Sequence, residues 1–181
     1  MSATATQLPT GTWTIDPIHS TAGFRVRHMG VSTFRAGFDD LTGGYASDER
    51  GTRLTGSVPV DTISIKQPDL KGHVLAGDFL HAEAHPTIDF SATRIEPAAG
   101  GQVVVEGDLT IKGTTKHVVA TGTVSEVGED FRGGKHFGLE LTTELDRRDY
   151  GLDWQAEIPG GKLALDYPVT LEVVLELVPE A

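Results

Sequence analysis

From Leu163 to Leu177 every odd position is apolar: Leu163, Leu165, Tyr167, Val169, Leu171, Val173, Leu175 and Leu177. The even positions read Ala164, Asp166, Pro168, Thr170, Glu172, Val174 and Glu176. A period of two sustained this long predicts a strand with one face out of water and the other mostly in it. At ~3.3 Å per residue the run is about 50 Å long, far beyond a usual strand of ~5–6 residues. Such a strand bends, with Pro168 as the place where a ladder donor is missing, or it wraps around a closed barrel.

Shorter runs of the same kind precede it. Ala22, Phe24 and Val26 alternate with Thr21, Arg25 and Arg27; Leu54, Val58 and Val60 share one phase; so do Ile88, Phe90 and Ala92. Val103, Val105, Leu109 and Ile111 share a phase, as do Val118, Ala120 and Val124, and Phe137, Leu139, Leu141 and Leu145. Paired glycines at Gly43-Gly44, Gly100-Gly101, Gly133-Gly134 and Gly160-Gly161 fall between runs, where turns are needed. With a short Thr12–Asp16 run and a glycine-broken Phe34–Tyr45 run, about eight or nine strands result. Even spacing with turn signals predicts an all-β antiparallel barrel or sandwich.

One segment departs from the period. Leu70, Val74, Leu75, Phe79 and Leu80 fit helical spacing, Pro68-Asp69 is a helix start and Pro86 a stop. A helix over about 68–84 is predicted, packed on the barrel or capping one mouth. Gly72 and Gly77 weaken it intrinsically, so it depends on packing. Residues 1–10 are expected to be a loose N-terminus and 11–178 a single barrel domain.

Composition narrows the partners. Fifteen Lys+Arg against 26 Asp+Glu give a net charge of −11, which disfavours nucleic acid or an anionic membrane as a standing partner. Zero Cys removes disulfides, thiolate metal sites and a Cys nucleophile. The first ten residues have neither a basic nor an apolar leader segment, and no apolar run spans a bilayer. A cytoplasmic protein without integral membrane contact is the expectation.

Seven histidines invite a metal hypothesis. His81 and His85 share a helix face, flanked by Asp78 and Glu83, but lack the adjacent glutamate of a zinc-hydrolase helix. Asp16 and His19 suit local turn and strand-end hydrogen bonds. Ser20 points away from His19 on a strand, so acyl transfer is not indicated. His28 falls in phase with Phe24 and Val26 and needs a polar partner, protein or ligand, if it points inward. Asp146-Arg147-Arg148-Asp149-Tyr150-Gly151 reads as a salt-bridged turn closed by glycine. No Gly-rich phosphate loop is present, and no cofactor or metal is implied.

Four stretches taken in order resemble the YceI-like family: Trp13-Thr14-Ile15-Asp16 with His19-Ser20, Phe24 and His28; Asp78-Phe79 with Pro86 and Phe90-Ser91; Gly107-Asp108-Leu109-Thr110-Ile111 with Gly113-Thr114 and Val118; and Arg147 with Asp149-Tyr150-Gly151. Gly11-Thr12-Trp13 also matches the Gly-x-Trp of lipocalins. The resemblance spans about residues 11 to 177. It implies an elongated eight-stranded antiparallel lipocalin-like barrel, a helix packed on it, and an apolar tunnel for a long isoprenoid or fatty chain. Leu80, His81 and His85 depart from the aromatic and acidic residues common in the family at those places.

The reading that follows is a non-enzymatic binder of a polyisoprenoid, isoprenoid quinone or fatty acyl chain. The expected inner wall is Phe24, Val26, Val58, Val60, Phe90, Leu109, Phe137, Leu139, Leu163, Leu165, Val169 and Leu171, closed by Leu75 and Phe79 from the helix. His28 and Arg147 are the head-group candidates. Small residues at Ala22, Gly56, Ala92, Gly107 and Ala120 would leave room. Alternation does not distinguish a cavity wall from a filled core, since both faces are apolar. Two alternatives stay open. One is a metal-dependent hydrolase or isomerase using His19, His28, His81 and His85. The other is a filled barrel acting through protein contacts, such as a homodimer through the outward Val174 and Val178.

Overall fold

The computed structural model describes residues 7–181. In chain order the strands are β1 Gly11–Ile15, β2 Thr21–His28, β3 Ser32–Phe38, β4 Thr42–Asp48, β5 Gly51–Pro59, β6 Thr87–Pro97, β7 Gln102–Ile111, β8 Thr114–Val124, β9 Gly128–Glu129, β10 Lys135–Asp146, β11 Glu157–Ile158, β12 Lys162–Leu163 and β13 Leu165–Pro179. One α-helix, α1 at Pro68–Leu75, lies between β5 and β6, and 3-10 turns occupy Val60–Thr62 and Arg147–Tyr150.

The strand pairs run β13–β1–β4–β5–β6–β7–β8–β10 and return to β13, all antiparallel, which closes an eight-stranded barrel. The long last strand makes the closure. One edge of β13 pairs with β10 from Asp146↔Pro168 to Phe137↔Leu177. The other edge pairs first with β2, from Leu165↔His28 to Val174↔Thr21, and then with β1, from Ile15↔Leu177 to Trp13↔Pro179. β1 and β2 are therefore two halves of one bent strand, joined by a bend at residues 16–20. β4 and β3 continue the next wall in the same way, through pairings with β1 and β2 respectively.

The predicted bend near Pro168 appears as a register irregularity between Leu165 and Val169. Alternation slips there. Tyr167 does not join the inner row but lies beneath two guanidinium groups, Arg148 at 4.0 Å and Arg147 at 5.0 Å from its ring centroid.

Inside and outside follow the period-two pattern wherever the strand is regular. In β7, Val103, Val105, Gly107, Leu109 and Ile111 are buried while the residues between them are not. The inner residues divide into two clusters. At one end Trp13 and Tyr45 meet the Phe137 ring edge-on at 4.9 and 5.1 Å, packed with Ile15, Leu54, Val105, Leu139, Leu175 and Leu177. That end is filled. The second cluster gathers Val60, Ile63, Leu80, Leu109, Ile111 and Tyr150 beside the chain segment that carries α1.

Two expectations change. The helix covers Pro68–Leu75 only, not 68–84. Gln67 caps it through its side-chain oxygen, which accepts the Leu70 N–H, and Pro68 opens it, but Ala76 is already extended and Gly77 follows. Residues 76–85 run on as turns, with His81 in the left-handed region at φ 51°. Of the segment expected to be loose, residues 1–6 lie outside the described residues, whereas 7–10 are tethered. The Tyr45 hydroxyl donates to the Pro9 carbonyl at 2.8 Å, the Trp13 indole donates to the Thr10 carbonyl at 3.0 Å, and Leu8 packs on the core. Among the described residues no helix is long and apolar enough to cross a membrane.

Closure on the β8–β10 side depends on close backbone approach at Gly122, where an added Cβ would overlap the Glu140 carbonyl oxygen. Gly122→Ala should therefore cost about 3 kcal/mol or more. Gly128→Ala, with nothing within 4 Å of its added Cβ, should stay within about 0.5 kcal/mol of wild type. Urea unfolding of the two variants checks this.

Candidate functional site

Beyond the filled end the barrel is hollow. A cavity of about 630 Å³ runs between β2, β5, β6, β7, β8, β10 and β13 and is closed on one side by α1. This is within the usual range for a small-molecule pocket. Its wall is almost wholly apolar. Phe24 and Val26 come from β2, Val58 from β5, Ile88 and Phe90 from β6, Leu109 and Ile111 from β7, and Leu165, Val169, Leu171 and Val173 from β13. Several of these, including Phe24, Val169 and Leu171, point inward and yet are only half-buried. Inner residues of the filled end contrast sharply, with Leu177 at 0% and Phe137 at 2% exposure. These side chains also line the open cavity.

The small residues explain part of that space. Ala22, Gly56 and Ala120 lie on the cavity wall, and a Cβ at Gly56 would meet only the Thr42 carbonyl oxygen, at 4.0 Å. Gly107 serves differently: its missing side chain accommodates the Phe90 ring, 2.5 Å from where a Cβ would stand. Ala92 packs against the filled end.

One wall is not a strand. β3 is an edge, tied to the chain after β5 only near Phe38 and Gly37: Phe38 bridges Ile63, and Ser64 N–H donates to the Gly37 carbonyl at 2.8 Å. Beyond that point the sheet gapes, and α1 fills the opening with Leu70, His73 and Val74 facing the cavity. The helix has no buried residue. It is tied to the rest of the wall by a cluster of rings that also line the cavity, in which His73 lies 5.0 Å from Phe79 and 5.1 Å from Trp154, and Phe79 lies 5.1 Å from Trp154.

Of the residues expected to form the wall, Phe24, Val26, Val58, Phe79, Phe90, Leu109, Leu165, Val169 and Leu171 line the cavity, and His28 and Arg147 border it. Five do not. Phe137 and Leu139 belong to the filled end: both are members of its buried cluster, and Trp13 and Tyr45 meet the Phe137 ring there. Val60 lies past the end of β5, in a 3-10 turn, and is buried at 1% exposure in the second cluster. Leu75 packs against that cluster from the last turn of α1. Leu163 sits in the β11–β12 hairpin, which precedes β13 and pairs only with itself. Trp154 and His73 were not among the expected residues. Trp154 lies in an irregular segment without periodicity, and His73 carries no apolar signal.

Arg147 is buried at 4% exposure, and its guanidinium faces backbone. Nε donates to the Asp166 carbonyl at 3.0 Å, Nη2 to that of Leu165 at 3.3 Å, and Nη1 to that of Leu152. Burial pushes its pKa down, but from so high a value that it stays charged at neutral pH. Arg147 thus pins the 152–166 segment, including Trp154, across the cavity floor. The turn that presents it is the salt-bridged corner the sequence indicated. Asp146 accepts the Arg148 N–H at 2.9 Å and pairs with its guanidinium at 2.6 Å, and Gly151 closes the turn in the left-handed region at φ 69°. His28, by contrast, has no hydrogen-bond or ionic partner for its ring among the described residues. The buried Tyr150 hydroxyl also lacks one, and burial pushes its pKa up to about 12.

The four histidines of the enzymatic alternative do not converge. His28 borders the cavity, and His81 and His85 meet edge-to-face at 5.7 Å in the turns after α1. His19 lies at the bend between β1 and β2, next to Asp16 and Glu176. Asp16, His19 and Glu176 are the only three such ligand groups that come together among the described residues.

Comparison with known proteins agrees with this architecture. Residues 13–177 match the YceI-like domain. A UPF0312 protein of Vibrio cholerae is 29% identical over 159 residues, covering 86% of this chain and 82% of the relative. Another, from Photorhabdus laumondii, is 26% identical and covers 87% and 82%. Among solved structures, Burkholderia cenocepacia BcnA superposes with a TM-score of 0.75 at 18% identity, covering 90% of this chain and 98% of that one. A Saccharophagus degradans domain described as polyisoprenoid binding superposes with a TM-score of 0.71 at 12% identity, covering 93% and 98%. The chain belongs to the YceI-like family.

The Arg148 guanidinium, hydrogen-bonded to Asp146, holds that carboxyl at about 2, below its ordinary 3.8. A depressed folded-state pKa contributes stability that is present above the unfolded value and is lost as pH falls through the folded one. Asp146→Asn should therefore remove part of the acid-induced loss of stability between about pH 4 and pH 2. Thermal melts across that window, compared with wild type, check it.

Proposed function

We propose that this chain is a non-enzymatic carrier that holds one long apolar molecule in the hollow half of its barrel. The class is a polyisoprenoid, an isoprenoid quinone or a fatty acyl chain. The cavity itself carries this reading: about 630 Å³ bounded by a nearly continuous aliphatic and aromatic wall. A slender chain entering it gains ~0.8 kcal/mol per methylene. Ten methylenes then contribute about 8 kcal/mol, more than the lower estimates of ~4 kcal/mol for lost translation and rotation. The similar Saccharophagus domain described as polyisoprenoid binding supports the same class.

The polar end of such a molecule is assigned to the side of the cavity bordered by His28, whose ring nitrogens are unspent. Arg147 is better read as the residue that fixes the floor, since its donors are engaged by carbonyls. Against the filled-core alternative stands the cavity itself, which the half-buried Phe24, Val169 and Leu171 line.

The test places bulk where the wall is open. Gly56→Phe projects a ring into the cavity without a close contact at its Cβ, so the variant should fold normally. Native mass spectrometry after incubation with a polyprenol or palmitate should show a 1:1 adduct for wild type and at least a tenfold weaker one for the variant. Equal occupancy in both, or no adduct in either, would overturn the reading.

A further inference from the structure

The bend between β1 and β2 brings chemistry to the outside of the filled end that the cavity does not use. Asp16 Oδ2 lies 2.7 Å from His19 Nδ1, and His19 Nδ1 lies 3.8 Å from Glu176 Oε1. The three ligand atoms all fall within 4.8 Å of one another. Their backbones are fixed to one another as well. Asp16 N–H donates to the Glu176 carbonyl at 2.8 Å, and Glu176 N–H donates to Ser20 Oγ at 2.9 Å. The second carboxylate oxygen of Asp16 accepts the Ile18 N–H at 2.9 Å, which sets the orientation of the group. Ligands carried on a rigid, stitched backbone are already ordered before anything binds.

Behind Glu176 stands a second histidine. His136 Nδ1 pairs with Glu176 Oε1 at 2.7 Å. Its Nε2 lies 3.2 Å from Asp130 Oδ2. Asp130 in turn accepts the Arg132 and Gly134 N–H groups at 2.7 and 2.8 Å. A carboxylate that orients an imidazole, which in turn orients a ligand, is the usual support behind a protein metal site.

We propose that Asp16, His19 and Glu176 form a surface site for one divalent transition ion of the zinc class, with His136 and Asp130 as positioning residues. Metal–ligand bonds of ~2.1 Å place tetrahedral ligand atoms about 3.4 Å apart. The present separations of 2.7 and 3.8 Å bracket that value, so small side-chain shifts complete the set. One imidazole nitrogen with two carboxylates, and no Cys in the chain, favours Zn2+ over Ca2+ or Mg2+, which take six or more oxygens or keep several waters. The ion would tie the β1–β2 bend to the last strand, on the outer surface and apart from the apolar cavity.

The experiment uses chelator-treated full-length protein, titrated with Zn2+ by calorimetry and with Co2+ by visible absorption. One ion per chain and a rise in melting temperature with Zn2+ are expected. His19→Ala, on an exposed side chain that folding does not need, should lose at least a hundredfold in affinity. His136→Ala and Asp130→Asn should each lose about 10–100-fold. Joint replacement of His81 and His85 by alanine should change nothing. Circular dichroism confirms that each variant is folded. Absence of saturable uptake, uptake unaffected by His19→Ala, loss of uptake only in the His81/His85 double variant, or equal competition by Mg2+ would each overturn the site.

Discussion

Everything in this molecule rests on β13 being paired along both edges. Its fifteen residues give one edge to β10 and divide the other between β2 and β1. That double pairing removes the free edges an eight-stranded sheet would otherwise expose, and it turns alternation along each strand into a true inside and outside. The strand is long because it must serve both halves of the bent β1–β2 wall. Irregularity at Leu165–Val169 is where it adjusts to that wall.

Closure alone does not make a container. The two ends differ because of three large rings. Trp13, Tyr45 and Phe137 meet edge-to-face across one end, and each also spends its bulk on a span that aliphatic residues would leave open. At the other end the inner positions are mostly aliphatic and face small residues such as Ala22, Gly56 and Ala120. The sheet also parts between β3 and β5, so a helix without a buried residue completes the wall. A barrel of this size is just wide enough to be filled by side chains or to hold one slender ligand, and here each half adopts one of those solutions.

The site is built from the same parts that build the fold, and this explains which of its residues could be read from the chain. Phe24, Leu109 and Leu171 are inner positions of regular strands, so phase alone located them. Phe137 and Leu139 have the same phase and the same chemistry, yet the aromatic plug makes them core. Val60 follows Leu54 and Val58 in phase, but the strand ends at Pro59 and the chain turns. Trp154 and His73 have no periodic signal at all. They reach the cavity because Arg147 holds the 152–166 segment by its carbonyls and because α1 spans the gap in the sheet.

By itself the sequence determined that the chain forms antiparallel strands, which face of each is apolar, where the one helix starts, and that the corner at Asp146–Gly151 is a charged turn. These are local properties, set by side-chain direction along a strand and by capping and turn chemistry within a few residues. Only the tertiary structure decided how far the helix extends, that one half of the barrel is plugged and the other hollow, and that Asp16, His19 and Glu176 meet. Those outcomes depend on distances across the barrel between residues as far apart as Asp16 and Glu176. Such distances are fixed by strand register and barrel closure, which no short window of sequence contains.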